Sequence, residues 1–331
     1  MPIIVEALCK NYSVSKPNQP VWRRLFAPIN EERRALEDVS FHVEDGETVG
    51  YIGPNGSGKS TTIKCLTGIL TPTAGTVQVN GCVPWRERPA LSPQQSVLFG
   101  QRSLLFWDLP VRDGLLLYKS IYRLNDAIYR RNVKRLSEAF EIEHLLERPA
   151  RKLSLGERMR CELVTALLHD PRVLYLDEPT IGLDVVARDR LHTFLRTYQR
   201  ERDLTLMLTT HQVIDIEELC PRVIVLMNGR KQFDGPLRDL KRRYAGAQVL
   251  HAEYSRIEDA ERLGQLSRMT DSFAHDEAAR TVRFEVPDAN LGFAHRLLAE
   301  ALLIASMTVQ EKPLEKVLLE VFRDDEFAAR V

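Results

Sequence analysis

Residues 48–61 have the sequence TVGYIGPNGSGKST, and this stretch decides the fold class. Its first part, Thr48–Ile52, predicts a short strand, and its second part, residues 53–61, contains the pattern GxxxxGK(S/T). The glycines let the backbone curl so that successive N–H groups point inward at an anion, and the N-terminus of a following helix adds its dipole. The stretch therefore predicts a phosphate-binding loop between a strand and a helix of an α/β protein.

The loop residues are the first candidates for binding a nucleoside triphosphate. We expect Lys59 to bridge the β- and γ-phosphates and the Ser60 hydroxyl to be a ligand of Mg²⁺. The residues assigned to nucleotide binding here are Gly53, Pro54, Asn55, Gly56, Ser57, Gly58, Lys59, Ser60 and Thr61.

A second motif follows further along the chain, where the apolar run Val173–Leu176 ends in Asp177 and Glu178. We predict that Asp177 holds Mg²⁺ through water and that Glu178 polarises the water that attacks the γ-phosphate. An apolar strand that ends in two carboxylates is common by itself. Its occurrence downstream of a phosphate loop in the same chain indicates hydrolysis of the bound nucleotide.

Between these motifs, the sequence LSLGE opens a predicted helix, Glu157–His169. With these residues the chain resembles the ATPases of the ATP-binding cassette (ABC) family, in which the corresponding motif is LSGGQ. The resemblance implies that Ser154, Gly156 and Glu157 contact the γ-phosphate from a helix N-terminus, where a hydroxyl and an unobstructed backbone can donate. This chain has Leu155 in place of a glycine and Glu157 in place of the glutamine. The pattern Ser-x-x-Glu is also a helix capping box.

Four further positions fall in the order that the family shows. Gln101 stands where a glutamine couples Mg²⁺ and water to the transmembrane partner, so the resemblance makes it a metal ligand and a catalytic residue. His211 corresponds to the histidine that contacts the γ-phosphate and is also assigned as catalytic, together with Glu178. Asp184, in the sequence GLD, resembles the loop that crosses the dimer interface. Tyr12 matches the aromatic residue that stacks on adenine. The implied ligands of Mg²⁺ are Ser60, Gln101 and Asp177.

The resemblance implies a P-loop NTPase cassette over residues 1–236, with a parallel-sheet core, an antiparallel β subdomain and a helical subdomain at about 102–170. The polar, Pro-rich stretch at about 15–35 predicts an inserted loop. Residues 245–331 alternate strand and helix patterns and predict a small α+β domain. The fold class is therefore α/β, with an α+β accessory domain. The runs that predict buried parallel strands are Val173–Leu176, Leu204–Thr210 and Val223–Met227.

Two turn signals divide the cassette further. Asp45-Gly46 follows the strand-like stretch Leu36–Val43 and predicts a β-hairpin. Asp234-Gly235-Pro236 predicts a break, after which Leu237–Tyr244 is expected to be a closing helix.

A single phosphate loop and a single LSLGE imply a head-to-tail dimer, formed with a second copy or with a related ATPase subunit. The resemblance also implies a separate transmembrane permease, which the segment Phe106–Pro110 is expected to contact.

The inserted loop and the small C-terminal domain resemble ATPases of type-2 exporters. An importer cassette and a soluble ABC protein without a transport role are the alternatives, whereas an unrelated P-loop kinase or GTPase would lack LSLGE and GLD.

The composition is that of a globular protein and argues against a nucleic-acid-binding protein and against a membrane-spanning one. Among 331 residues, Lys+Arg and Asp+Glu both number 46, so no excess of positive charge supports nucleic-acid binding and no nucleic-acid partner is expected. The longest apolar runs are too short to span a bilayer, and the first residues do not form a signal peptide. The five scattered cysteines fit reduced thiols. We therefore expect a cytoplasmic protein that lies on the cytoplasmic face of the cell membrane.

Overall fold

The computed structural model describes residues 2–15, 30–100, 102–245, 247–270, 272–287 and 290–328. The chain divides into two compact units, residues 1–237 and residues 238–331. In the part of the chain just given, no helix combines the length and the apolar character that a membrane span requires. Gln101 and residues 16–29, which include most of the expected insertion, lie outside the described residues.

The first unit contains a six-stranded sheet and a three-stranded sheet. The larger sheet has the strand order β5-β6-β7-β3-β8-β9, and the smaller one has the order β2-β1-β4. The strands are β1 (Ile3–Ser15), β2 (Asn30–Val43), β3 (Thr48–Ile52), β4 (Ala74–Val79), β5 (Gln95–Phe99), β6 (Val173–Asp177), β7 (Thr205–Thr209), β8 (Arg222–Met227) and β9 (Arg230–Pro236).

The larger sheet forms the core of this unit. Strand β3 lies between β7 and β8 and pairs in parallel with both, and β6 pairs in parallel with β5 and β7. Every residue of β3 and β7 is buried, as expected for a parallel sheet that is covered on both faces. Only β9 runs antiparallel, against β8. The predicted α/β class and the predicted core strands are confirmed.

The helices of the first unit begin directly after the phosphate loop. Helix α1 starts at Lys59, and α3 to α5 form the helical part that was predicted between the phosphate loop and the second motif. The helices are α1 (Lys59–Leu66), α2 (Arg88–Leu91), α3 (Val111–Ile121), α4 (Asp126–Ala139), α5 (Leu155–Leu167), α6 (Val185–Arg202) and α7 (Val213–Leu219). The next helix, α8 (Leu237–Ala245), starts at the last residue of the first unit and otherwise belongs to the second.

Three local expectations are wrong. The turn at Asp45-Gly46 does not close a hairpin, because β2 belongs to the antiparallel sheet and β3 to the core sheet. The stretch 15–35 is not a loop at its ends, since β1 extends to Ser15 and pairs there with Asn30 of β2. Residues 234–236 are not a break but the end of β9, paired with β8. In the first case, pairing of β3 with the distant strands β7 and β8 overrides a local turn signal. In the other two cases, strands that are consecutive along the chain pair further than the local composition predicts.

The second unit is an α+β fold with its own core. One antiparallel sheet has the order β11-β12-β10-β13, and its buried face packs against two helices through residues such as Phe284, Leu266 and Leu298. The elements are β10 (Ala247–Ile257), α9 (Ala260–Met269), β11 (Ala274–Asp276), β12 (Thr281–Pro287), α10 (Leu291–Ala301), β13 (Leu302–Glu311) and α11 (Leu314–Ala328).

Candidate nucleotide site

The phosphate loop joins β3 to α1, and close backbone contacts fix its path. A Cβ added at Gly53 would lie 2.0 Å from the carbonyl oxygen of Leu226 in β8. A Cβ at Gly58, which has a φ of +109°, would lie 2.7 Å from the carbonyl oxygen of Ala35 in β2. Only glycine fits at both positions. The loop is therefore held between β8 of the larger sheet and β2 of the smaller sheet before the chain turns into α1.

Polar groups inside the loop have the chemistry that a phosphate requires. The Lys59 Nζ donates to the carbonyl oxygens of Gly53 and Pro54 at 2.7 Å and 3.0 Å. Burial lowers the pKa of Lys59, while the nearby carboxylates of Glu178 and Asp177 oppose this shift. The Ser57 Oγ is buried and has no hydrogen-bond partner among the described residues. The Lys59 ammonium supplies the positive charge that a polyphosphate requires.

The two carboxylates stand at the carboxyl end of β6. Asp177 Oδ1 accepts a short hydrogen bond from the Thr209 hydroxyl at the end of β7. Glu178 has a left-handed φ of +58°, and its backbone N–H donates to the Thr209 carbonyl oxygen at 2.8 Å. Non-glycine residues in this region store strain and occur preferentially at functional sites. Thr209 was not predicted; its position beside Asp177 follows from the pairing of β6 with β7.

His211, for which the resemblance implied a contact with the γ-phosphate, lies next to Glu178. The His211 Nδ1 is 2.7 Å from Glu178 Oε1, and the His211 backbone N–H is 3.4 Å from Oε2. The carboxylate is largely buried, whereas the imidazole is exposed. The pair therefore has one member anchored at the sheet and one member that faces solvent.

A cavity of about 900 Å³ brings several predicted residues together. Its lining includes Lys59 and Ser60 where the loop enters α1, Asp177 at the end of β6 and Glu178 directly after it, and Tyr12 from β1. The volume falls in the range of small-molecule and cofactor sites. The other predicted residues in the lining are Asn55, Gly56, Gly58 and Thr61.

Tyr12 reaches this cavity from the antiparallel sheet. Its hydroxyl is 3.4 Å from the Thr61 Oγ1 in α1, and the Lys10 ammonium lies 5.6 Å from its ring centre. One ring therefore stands at the edge of the cavity beside the start of the helix that follows the loop. This is a position from which an aromatic face can contact a base.

The LSLGE residues form a complete capping box at the start of α5. The Ser154 Oγ accepts from the Glu157 N–H at 3.3 Å, and the Ser154 N–H donates to Glu157 Oε2 at 2.8 Å. The backbone hydrogen bond from Ser154 is the main reason that the pKa of Glu157 is lowered, and Arg148 lies 3.5 Å away. The Glu157 carboxylate is thus occupied by the helix cap and by a cation.

Several predicted residues lie away from the lining of this cavity. Ser154, Gly156, Glu157 and Asp184 are not among the lining residues, although Leu155 is. The Asp184 carboxylate caps α6 by accepting from the Ala187 N–H at 2.8 Å. Next to it, Val185 and Val186 are 74% and 61% exposed. Two apolar side chains at this level of exposure mark a surface that a partner can cover.

Comparison with known proteins agrees with this geometry. The family model described as ABC transporter matches residues 36–181. The chain is 38% identical to the Nod factor export ATP-binding protein I of Burkholderia pseudomallei, over 66% of this chain and 72% of that protein. It is 30% identical to the ABC transporter ATP-binding protein NatA of Bacillus subtilis, over 66% and 88% of the two chains.

Larger relatives and solved structures match as well. Human ATP-binding cassette sub-family A member 6 is 31% identical over 75% of this chain, but this chain spans only 14% of that protein. A solved ATP-binding subunit of an ABC transporter is 29% identical, with a TM-score of 0.62 over 74% of this chain and 93% of that one. A dimeric bacterial ABC transporter cassette shares the fold at 23% identity, with a TM-score of 0.60 over 71% and 99%. The chain therefore belongs to the ABC transporter family, as one of its ATPase cassettes, and resembles the type-2 group.

Proposed function

We propose that this chain is the ATP-binding and hydrolysing subunit of an exporter and that it drives a separate membrane permease. The observation that carries this proposal is the convergence of the loop residue Lys59 with Asp177 and Glu178 around one cavity. The direction of transport is supported by the 38% identity to a Nod factor export ATP-binding protein.

The loop would bind ATP through its backbone N–H groups and two side chains. Lys59 would exchange its loop carbonyl partners for the β- and γ-phosphates, since a charge-assisted hydrogen bond to phosphate is stronger than one to a neutral carbonyl. The Ser57 hydroxyl would gain the partner that it lacks among the described residues. Tyr12 would stack on the adenine.

The residues present also fit Mg²⁺. Ser60 and Asp177 line the cavity and supply the oxygen atoms that this cation prefers. The described residues include no group of three or more His, Cys, Asp or Glu side chains that could hold a metal. Mg²⁺ commonly takes one or two protein ligands and completes its shell with phosphate and water. Gln101, the third expected ligand, remains a proposal from the sequence. When bound, Mg²⁺ would neutralise charge on the β- and γ-phosphate oxygens.

Glu178 would act as the general base of hydrolysis. Its carboxylate would accept a proton from the water that attacks the γ-phosphate. His211, 2.7 Å from Oε1, would hold the carboxylate in orientation and reach the γ-phosphate from the exposed side. Gln101 would help to place the water.

A head-to-tail dimer would complete the site, either with a second copy or with a related ATPase subunit. Ser154, Gly156 and Glu157 lie outside the lining of the chain's own cavity, so we propose that they face the nucleotide of the partner. The exposed Val185 and Val186, next to Asp184, would be covered in this dimer.

The permease would contact the segment that follows Gln101. Trp107 is 53% exposed, and Phe106 and Leu109 are also exposed. The Arg158 guanidinium in α5 lies 4.8 Å from the Trp107 ring centre, so a partner that moves this segment would also act on the helix that carries LSLGE. This contact would place the chain on the cytoplasmic face of the membrane. No nucleic-acid partner is proposed.

The test uses the full chain, tagged in the cells that contain it, and asks whether a permease, a protein with several membrane spans, is isolated with it. We expect the two to co-purify from membranes and Trp107→Ala to weaken this association while ATP binding is retained. For direction, mass spectrometry would compare the cells and the medium of strains with the wild-type chain and with Glu178→Gln. An export role predicts that a compound accumulates inside the mutant cells; a compound that instead remains in the medium would contradict it, and so would a chain that never associates with a membrane protein.

A further inference from the structure

Asp215, in the first turn of α7, has a fully buried carboxylate that the sequence analysis did not identify. Three polar side chains lie within hydrogen-bond distance of it. Its Oδ1 lies 2.9 Å from the His192 Nε2, and its Oδ2 accepts from the Thr180 hydroxyl and lies 3.1 Å from the Thr210 Oγ1. His192, Thr180 and Thr210 are themselves buried.

A buried carboxylate lowers the stability of the folded state unless hydrogen bonds compensate for its lost hydration. A buried carboxylate loses its hydration, and apolar residues of similar volume generally provide equal or greater stability. Here the donors come from three separate segments: the stretch after β6 for Thr180, the end of β7 for Thr210, and α6 for His192. The carboxylate therefore joins segments that lie far apart in the sequence.

Thr210 connects this carboxylate to the proposed general base. Its Oγ1 lies 3.1 Å from Asp215 Oδ2 and 3.3 Å from Glu178 Oε2, and it accepts from the Gln212 N–H at 3.0 Å. One hydroxyl proton serves one acceptor at a time. Thr210 therefore donates either to Asp215 Oδ2 or to Glu178 Oε2, and its buried position and the Gln212 N–H keep its oxygen beside both carboxylates.

Thr180 lies close to Glu178 along the chain and is bonded to the same carboxylate of Asp215. Glu178 has a left-handed φ of +58°, and Thr180 follows it by two positions. A strained backbone persists only where its surroundings determine it strongly. Asp215 is bonded to Thr180, which follows Glu178 in the chain. It is also within hydrogen-bond distance of Thr210, whose hydroxyl lies beside the Glu178 carboxylate. Both restraints meet in one carboxylate.

We infer that Asp215 is a positioning residue for ATP hydrolysis, which holds Glu178 in place through Thr210 and Thr180. The inference rests on the proposed role of Glu178. The nucleotide is not contacted by Asp215, Thr210 or Thr180 in this arrangement. These residues therefore affect the rate of hydrolysis and not the binding of ATP.

The experiment compares Thr210→Val, which keeps the side-chain shape and removes the hydroxyl, with Thr210→Ser, which keeps the hydroxyl. We expect Thr210→Val to lower kcat about tenfold, with a change in KM and in ATP affinity below about twofold, because a small misplacement of a catalytic group slows the reaction. Thr210→Ser should retain at least about half of the activity. Asp215→Asn should resemble Thr210→Val, provided that its melting curve shows a folded protein.

Thr165→Val is the matched control. Thr165 is also buried, but among the residues that the structure describes its hydroxyl bonds only to the Cys161 carbonyl oxygen of the same helix, at 2.8 Å. Its removal should leave kcat unchanged. If Thr165→Val lowers kcat as much as Thr210→Val, or if Thr210→Val has the activity of the wild type, the inference is wrong.

A double-mutant comparison separates this inference from the function on which it rests. In a Glu178→Gln background, Thr210→Val should cause no further loss of the residual hydrolysis, since it acts through the carboxylate that is already gone. An equal loss in both backgrounds would show a general structural effect and overturn the inference. Full turnover in Glu178→Gln alone would instead overturn the proposed role of Glu178.

Discussion

Leu155 lies directly against Gly182, so that a Cβ on Gly182 would be 2.1 Å from the Leu155 Cδ2. Gly182 has a φ of +77°. Leu155 replaces a glycine of the family's LSGGQ motif. Its side chain packs over the backbone of Gly182, in the space that a side chain at residue 182 would fill. The contact joins the start of α5 to the GLD segment, which carries the exposed valines.

Gly182→Ala should destabilise the protein by two separable effects. The left-handed backbone costs about 1–2 kcal/mol for alanine, and the clash with Leu155 adds to it. Denaturant unfolding would measure the free energy of unfolding of Gly182→Ala with and without Leu155→Ala. We expect Leu155→Ala to remove the clash, so that the double variant retains only the loss of stability caused by the left-handed backbone at residue 182. Equal stability of Gly182→Ala and the wild type would contradict both effects.

Glu178→Gln should bind ATP with wild-type affinity and lose most of the hydrolysis. Removal of a general base lowers the rate by about 10² to 10⁴. Steady-state phosphate release and a binding titration with a fluorescent nucleotide would measure the two properties. A turnover close to that of the wild type would rule out Glu178 as the base.

Lys59→Ala should differ from Glu178→Gln, because it removes the cation that lies in the phosphate loop. We expect weaker ATP binding together with lost hydrolysis. The same nucleotide titration distinguishes the variants. If Lys59→Ala binds ATP as tightly as the wild type, the proposed contact between Lys59 and the phosphates is wrong.

ATP should promote dimer formation in Glu178→Gln, since it would be held between Lys59 of one chain and Ser154 of the other. Sedimentation with saturating ATP should show more dimer than without nucleotide, and Val186→Asp should reduce it, because a charge would replace an apolar side chain that is 61% exposed. A monomer under all conditions would contradict a homodimer that forms without a permease.

His169 should make the stability of the first unit depend on pH. Burial lowers the pKa of His169 from 6.5 to about 4, while its Nε2 lies 3.1 Å from the Gln95 carbonyl oxygen and its ring stacks on Tyr122. Because the unfolded chain takes up the proton first, stability should be full above pH 6.5 and fall as the pH drops towards 4, by up to about 3 kcal/mol.

Urea unfolding at several pH values would measure this loss. His169→Gln should flatten the dependence between pH 6.5 and 4. His144→Gln, at an exposed position, serves as the control and should leave it unchanged. An identical pH dependence in His169→Gln and the wild type would show that other groups cause the loss.

Removal of the second unit should leave nucleotide binding intact. A chain that ends at residue 245 keeps all of residues 1–237, which form a compact unit, and the whole of α8. We expect similar ATP affinity but weaker dimerisation or weaker association with the permease. Loss of binding in a truncation that circular dichroism shows to be folded would mean that residues 246–331 contribute to the nucleotide site.

Much of the fold and the candidate site was predictable, because the information is local in the sequence. The loop at Gly53–Thr61 and the helix that starts at Lys59 follow from residues within one short stretch. Apolar runs such as Val173–Leu176 predict buried strands, since a parallel sheet covered on both faces requires them. The Ser-x-x-Glu spacing predicts the capping box at Ser154, which the structure contains.

The pairing of strands and the contacts between residues far apart in the sequence were decided only by the tertiary structure. The turn at Asp45-Gly46 joins two sheets instead of two paired strands, because β3 finds its partners in β7 and β8. No local pattern places Leu155 over Gly182, or Thr210 between Asp215 and Glu178. A sequence motif specifies which groups are available within a few residues, whereas hydrogen bonds and packing across the fold specify which of them meet. The chain's sequence thus determined the phosphate loop and the two carboxylates, and only the folded chain determined what holds Glu178 in position.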